Sequence, residues 1–119
     1  MANPNIVNVT TSYGNTGVQS VTTSATAIVT NSAASGKVYK VNGLMVTNVD
    51  TANVATVTVD LYRSSTAYKM ASNVSINANT TYTPIDKTLS LYLLEGDSIR
   101  VTANANSMLQ AVCSWEEIN

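Results

Sequence analysis

The stretch 89–103 restricts the fold of this chain more than any other part of the sequence. Apolar residues occupy every second position on both sides of a short polar segment, Glu95-Gly96-Asp97. They are Leu89, Leu91 and Leu93 before the segment and Ile99, Val101 and Ala103 after it. Because successive side chains of a strand point to opposite faces, both runs present one apolar face. Gly96 permits the positive φ of a tight turn, so the sequence predicts a hairpin with one buried face.

The rest of the chain supports an all-β fold of one domain. The sequence of 119 residues contains 17 Thr and 15 Val, and these β-branched residues suit a pleated surface better than a helix. Short alternating segments are separated by turn residues about every ten positions, as in sandwiches and barrels. We expect an antiparallel β-sandwich of about eight strands, of the jelly-roll or Ig-like kind, although the spacing alone does not exclude a barrel. The predicted core is Leu89, Leu91, Leu93, Ile99, Val101, Leu109 and Trp115.

Local signals place several strands and turns. Asn42-Gly43 interrupts an alternating strand over 37–47 and indicates either a β-bulge or burial of both faces there. The segment 63–66 predicts the turn of a hairpin, and Pro84 places its strand at a sheet edge or a strand start. A single long strand is expected over 18–30. Glu116 and Glu117 are expected to form a solvated end.

The N-terminal segment forms a separate part of the prediction. A short apolar row, Ile6, Val7 and Val9, precedes Tyr13-Gly14-Asn15-Thr16-Gly17, whose glycines and asparagine indicate a loop. We therefore divide the chain into 1–17, an arm or first strand with a loop, and 18–119, the sandwich. The row either pairs within its own domain or docks on a neighbouring subunit, since an unpaired strand gains hydrogen bonds at a sheet edge. Ile6, Val7, Val9 and Tyr13 are the predicted interface residues.

The residues that usually carry chemistry are scarce. The chain has no histidine, which excludes Ser-His and Cys-His nucleophile pairs and removes the commonest zinc ligand. The single cysteine, Cys113, lies in an alternating strand and is expected to be a small buried apolar residue. A calcium site shared by Asp86, Glu95 and Asp97 would lack the six to eight oxygens that the ion takes. We expect no catalytic activity, no metal and no cofactor.

Two smaller expectations concern surface side chains. Asp60 and Arg63 are expected to form an exposed ion pair, which would contribute little to stability. Tyr62, Tyr68 and Tyr82 are candidates for a sugar-binding platform, although tyrosine also serves as a core residue with a polar tip.

Low charge is the feature of the composition that bears on function. Charged residues make up 11% of the chain and the net charge is −1, which argues against nucleic-acid binding. No apolar run is long enough for a transmembrane helix, so we expect no membrane partner. Soluble monomers usually carry interspersed surface charge. An uncharged surface rich in Thr, Ser and Asn predicts packing against further copies, as a homo-oligomer, or against a larger scaffold.

Several segments together resemble a known group of proteins. They are the Met1-Ala2-Asn3-Pro4 start, the long strand rich in Val, Thr, Ser and Ala, the segment 59–64 (Val-Asp-Leu-Tyr-Arg-Ser) and the segment 93–101. Over most of its length the chain resembles short β-sandwich virion proteins of tailed bacteriophages. The shared segments are strand and turn patterns, and no residue role is carried over from them.

The resemblance implies a structural component of a phage particle. The leading expectation is a capsid decoration (cement) protein that binds the head shell, with the major capsid protein as partner and the virion as location. A tail, neck or fibre component is the alternative within this class. A carbohydrate-binding module is the alternative from a different class.

Overall fold

Two antiparallel sheets face each other in a computed structural model, which describes residues 11–119. The strands are β1 (Ser12–Ser20), β2 (Thr26–Thr30), β3 (Val38–Asn48), β4 (Ala55–Arg63), β5 (Thr66–Ile76), β6 (Thr81–Ile85), β7 (Leu91–Leu93), β8 (Ser98–Ala103) and β9 (Leu109–Ile118). The first sheet has the order β1-β9-β3-β6, with β7 also paired to β3, and the second has the order β2-β8-β4-β5. The predicted antiparallel sandwich is confirmed, with nine strands in the described part of the chain.

The core lies between the two sheets and consists almost wholly of aliphatic side chains. Its fully buried members include Val41, Leu44, Val46, Val57, Val59, Leu93, Ile99, Val101, Leu109 and Cys113. Leu91 and Trp115 pack against this cluster while partly exposed. Four members of the predicted core are thus buried, two lie at its border, and one, Leu89, is outside it with 65% exposure.

The predicted hairpin over 89–103 is wrong. Its first arm, β7, pairs with β3 in the first sheet, whereas its second arm, β8, lies between β2 and β4 in the second sheet. The turn therefore joins the two sheets, and Leu89 belongs to a 3₁₀ turn over Lys87–Leu89. Alternation predicts only which side chains face the core. Because both sheets of a sandwich face the same core, alternation does not predict whether two successive strands belong to one sheet.

The turn between β7 and β8 is held by a polar network. Gly96 has a φ of 87° and donates its N–H to the carbonyl of Asn31. The fully buried Asn31 amide donates to the carbonyls of Leu93 and Lys37. These bonds satisfy backbone groups that cannot pair with a strand where the chain crosses between sheets.

The predicted loop over Tyr13–Gly17 is also wrong, because these residues belong to β1. Gly17 is needed there for space: a Cβ atom at this position would lie 3.0 Å from the indole ring of Trp115 on β9. The glycine therefore marks close packing within a strand, which sequence reasoning does not distinguish from a turn. Ile6, Val7 and Val9 lie outside the described residues, so the division at 17/18 stays a prediction.

Gly17→Val is expected to lower the free energy of unfolding by about 1–3 kcal/mol, because the added methyl groups overpack the space against Trp115. Gly14→Val is the matched control, since a Cβ at Gly14 on the same strand meets nothing within 4 Å. Urea unfolding of both variants measures the difference. Equal losses in the two would mean that the indole moves aside freely.

Other local predictions are confirmed. The register of β3 with β9 shifts between Val41 and Gly43, which places the predicted bulge at Asn42. The hairpin from β4 to β5 turns on Ser64 and Ser65, whose φ angles of 51° and 62° fit the two-residue hairpin turn with positive φ at both positions. Pro84 lies in β6, at the edge of the first sheet.

The expected strand over 18–30 is divided. β1 ends at Ser20, β2 begins at Thr26, and residues 21–25 carry the chain from the first sheet to the second, with Val21 buried and the other four exposed. Val and Thr are equally suited to a strand and to an extended connection, so composition did not reveal the break. Within residues 11–119 no helix has the length and apolar character needed to span a membrane.

Candidate interaction surface

The outer face of the first sheet combines exposure with an absence of charge. Residues paired across antiparallel strands point to the same side of a sheet, so the register identifies the members of this face. We use "outer face" for three cross-strand rows on β1, β9 and β3: Thr16, Ser114 and Gly43; Val18, Val112 and Met45; and Ser20, Gln110 and Thr47. The last row continues onto β6, where Thr81 pairs with Thr47 and the two hydroxyl oxygens are 2.8 Å apart.

An apolar row crosses the middle of the outer face. Val18 is 77% exposed and Met45 is 47% exposed, and Val112 lies between them on β9. Aliphatic side chains in this position contribute nothing to the core, because the core-facing residues of the same strands are their neighbours in sequence. Such a row remains in contact with water until another surface covers it.

Gly43 opens a depression beside this row. The cavity has a volume of about 400 Å³ and is lined by Thr16, Gly43, Met45, Thr83, Ile85, Asp86, Val112 and Ser114. A Cβ at Gly43 would meet the carbonyl of Ile85 at 3.6 Å and the hydroxyl of Ser114 at 3.8 Å, so the missing side chain leaves room for one from outside. A second depression of about 330 Å³ lies on the other side of the row, along β1 and β9.

The charges near the outer face stand at its border. Lys40 and Glu116 are paired in register next to the row of Thr16, and Asn42 donates to the Glu116 carboxylate at 3.2 Å. Asp86 lines the rim of the first depression. The three central rows contain no ionisable group, and this arrangement suits a contact with another uncharged protein surface.

The sequence contained a weak signal for this face. Met45 and Val112 are apolar residues on the side of their strands that is otherwise polar. The run Leu44-Met45-Val46 suggested burial of both faces, and the structure shows burial of Leu44 and Val46 with Met45 turned outward. The sequence does not group Val18 with them, because Val18 lies on β1 and its partner Val112 lies on β9, the first and last of the described strands.

The predicted ion pair of Asp60 and Arg63 is wrong. Asp60 is buried and binds Arg100 through two hydrogen bonds, at 2.9 and 3.2 Å, and the guanidinium also lies 4.0 Å from the ring centre of Tyr62. Arg63 instead binds Asp97 with two bonds, at 2.8 and 2.5 Å. Asp60 lies directly opposite Arg100 in the register of β4 with β8, and the sequence of β4 alone does not predict this partner on another strand.

The three carboxylates considered for calcium each serve the backbone or a cation. Asp97 holds Arg63 and also accepts from the N–H of Leu94, and Glu95 accepts from the N–H of Gly36 at 2.7 Å. Asp86 caps the 3₁₀ turn, and its hydrogen bonds with the side chain and N–H of Thr88 lower the pKa of its carboxyl. No group of three or more metal-binding side chains occurs among residues 11–119.

Glu117 occupies a structural position instead of the expected solvated end. Its carboxylate accepts from the amide of Asn15 at 2.6 Å and from the indole of Trp115 at 3.3 Å, and it pairs with Lys37 at 3.3 Å. The neighbouring Tyr39 stacks on Trp115, and its pKa is raised by burial and by the charge of Glu117. The cluster joins β1, β9 and β3 at one end of the sandwich.

The candidate sugar platform is not assembled. Tyr68 on β5 is 57% exposed, whereas Tyr62 is covered by Arg100. Tyr82 lies on β6 in the other sheet and packs against the core. The three rings therefore do not form one flat surface.

Cys113 is buried, as expected, and burial raises the pKa of its thiol from 9.0 to about 12. Because folding favours the protonated thiol, its contribution to stability is present below about pH 9 and is lost as the pH rises towards 12.

We expect iodoacetamide at pH 8 to label Cys113 in the urea-unfolded chain and to leave it unlabelled in the folded chain, as measured by mass spectrometry. Labelling at the same rate in both states would contradict the burial.

The comparisons with known proteins give a fold and no family. No protein-family model matches the chain, and no curated protein sequence matches it. A solved structure from Bacillus endospore appendages, described as a novel family of disulfide-linked pili, is similar to it with a TM-score of 0.54 and 15% identity. The similarity covers 92% of this chain and 87% of the other. The sandwich fold is thus shared with a structural protein.

Proposed function

We propose that this chain is a non-catalytic structural subunit that attaches to a larger assembly through the outer face of its first sheet. The observation that carries the proposal is the uncharged face with the apolar row of Val18, Val112 and Met45, in which Val18 and Met45 are exposed. A subunit surface of this kind gains from burial of apolar area without the cost of desolvating charges.

The kind of assembly is proposed from two likenesses. The sandwich fold is shared with a protein of endospore appendages, which are pili. The strand and turn segments resemble virion proteins of tailed phages, and on that ground we place the subunit on a phage particle. In this reading it is a capsid decoration protein bound to the major capsid protein, with a tail, neck or fibre position as the alternative. Its copies would not be joined through a disulfide, because the single cysteine is buried.

The N-terminal row belongs to the same proposal. Thr11, the first described residue, pairs through its backbone with Asn119 at the end of β1 and β9. In this proposal Ile6, Val7 and Val9 would supply a second apolar contact to a neighbour, together with Tyr13, which is 59% exposed. Deletion of residues 1–10 tests this role: assembly is lost with the folded domain intact if the arm docks outside, whereas thermal stability falls if the arm pairs within its own domain.

Met45→Lys tests the outer face. Met70→Lys is the matched control, since Met70 is a 38% exposed methionine on β5 of the other sheet. The measurement is the amount of each variant in purified particles, by mass spectrometry against the wild-type chain. We expect Met45→Lys to be absent from the particles and Met70→Lys to be retained. Equal retention would overturn the outer face as the contact, and absence of the wild-type chain from all particles would overturn the structural role.

A further inference from the structure

The sheet edges of the described residues differ in how they are protected. Free edge strands are usually blocked by proline, charge, bulges or shortness, because an exposed edge pairs with other chains. β6 contains Pro84 and a register shift, β5 contains Lys69 and two register shifts, and β2 has five residues and a shift. β7, beside β6, is three residues long.

β1 has none of these devices. It is nine residues long, has no charged residue and no proline, and its pairing with β9 runs from Ser12 to Ser20 without a register shift. Among residues 11–119 it pairs only with β9, so its other edge presents a regular row of backbone donors and acceptors. An unblocked edge of this length is a template on which a further strand can pair.

We propose that β1 of two copies pair antiparallel across a two-fold axis, which joins their first sheets into one. The partner is a second β1 because the other edges of the described chain are blocked, and identical strands meet naturally in a two-fold contact. The proposal deepens the structural role above and rests on it for its setting, since it names the contact between copies.

Full overlap of the two strands fixes the register. It places Thr16 opposite its own copy at the axis, Val18 opposite Gly14, and Tyr13 opposite Gln19. A Cβ at Gly14 meets nothing within 4 Å, so this position has room for the opposing Val18, which is 77% exposed in the single chain. The pairing would place the most exposed apolar side chains of β1, Val18 and Tyr13, beside the opposing strand.

A disulfide tests the register. Opposite residues of antiparallel strands have Cα atoms about 4.5–5.5 Å apart, within the range that a disulfide spans. Thr16→Cys should therefore give a cross-linked dimer under mild copper-catalysed oxidation, on a non-reducing gel. Thr83→Cys on the blocked strand β6 is the matched control and should stay monomeric, and the buried Cys113 does not take part. A Thr16→Cys chain that stays monomeric overturns the proposal. That outcome is expected if residues 1–10 of the same chain occupy the β1 edge.

Thr16→Lys gives a second measurement without cross-linking. Two like charges directly opposite each other should raise the dimer dissociation constant at least about tenfold in sedimentation velocity, and Thr83→Lys should not change it. An unchanged constant for Thr16→Lys overturns the contact. Met45→Lys separates the two proposals. If this variant is absent from particles but still forms the dimer, both contacts are supported. If it is retained in particles while Thr16→Cys forms the cross-linked dimer, only the role of the outer face is overturned.

Discussion

Leu93→Ala should lower the free energy of unfolding by about 2–5 kcal/mol, the usual cost of removing a fully buried leucine from a packed core. Leu93 is 0% exposed and faces the second sheet from β7. Leu89→Ala is the matched control, because Leu89 is 65% exposed and lies four positions earlier in the same alternating run. Its effect should stay within about 0.5 kcal/mol.

Urea denaturation of the two variants measures the difference, and Leu91→Ala should fall between them because Leu91 only borders the core. Simple alternation predicts equal losses for all three leucines. Equal losses would therefore show that the run continues as one strand through Leu89, against the 3₁₀ turn found there.

Asp60→Ala should cost about 1–3 kcal/mol, since it removes two charge-assisted hydrogen bonds from a guanidinium that is partly exposed. The side chain of Asp60 is 4% exposed and that of Arg100 is 23% exposed, so water replaces only part of the lost interaction. The measurement is again the free energy of unfolding, in low and in high salt, because a buried pair is screened far less than a surface pair.

The double variant Asp60→Leu with Arg100→Met is the control for this prediction. Replacing both partners of a buried pair by apolar residues is often close to neutral, so the double variant should be more stable than Asp60→Ala. A loss below about 1 kcal/mol for Asp60→Ala would place the pair among ordinary surface ion pairs.

The parts of the fold that were predictable depend on neighbours in sequence. The turn at Ser64-Ser65, the bulge at Asn42 and the edge position of Pro84 each follow from the conformational limits of a few adjacent residues. The split of 89–103 between two sheets does not, because β3 and β4 select the partners of β7 and β8 from distant parts of the chain. The sequence predicts a loop at Tyr13–Gly17 for the same reason, because the indole that requires Gly17 lies on the distant strand β9.

The candidate surface is harder to predict from the sequence than the core. An uncharged exterior was predicted from composition, but the row of Val18, Val112 and Met45 exists only once β1, β9 and β3 are in register. The predicted interface residues came from an apolar run at the start of the chain, and only Tyr13 among them lies in the described part. Residues that serve assembly need no special chemistry, so no motif marks them.

Because β1 pairs with β9, the first sheet cannot be completed until the end of synthesis of the described strands. β1 leaves the ribosome before the other described strands and β9 leaves after them, so β1 has no sheet to join until synthesis of these strands is complete. The outer face, which draws on β1, β9 and β3, is likewise absent from every shorter nascent chain. Domains that close late in this way fold slowly, because their contacts join distant parts of the chain. Attachment through the proposed surfaces would therefore wait until β9 has been synthesised, and shorter nascent chains would present no completed face to one another.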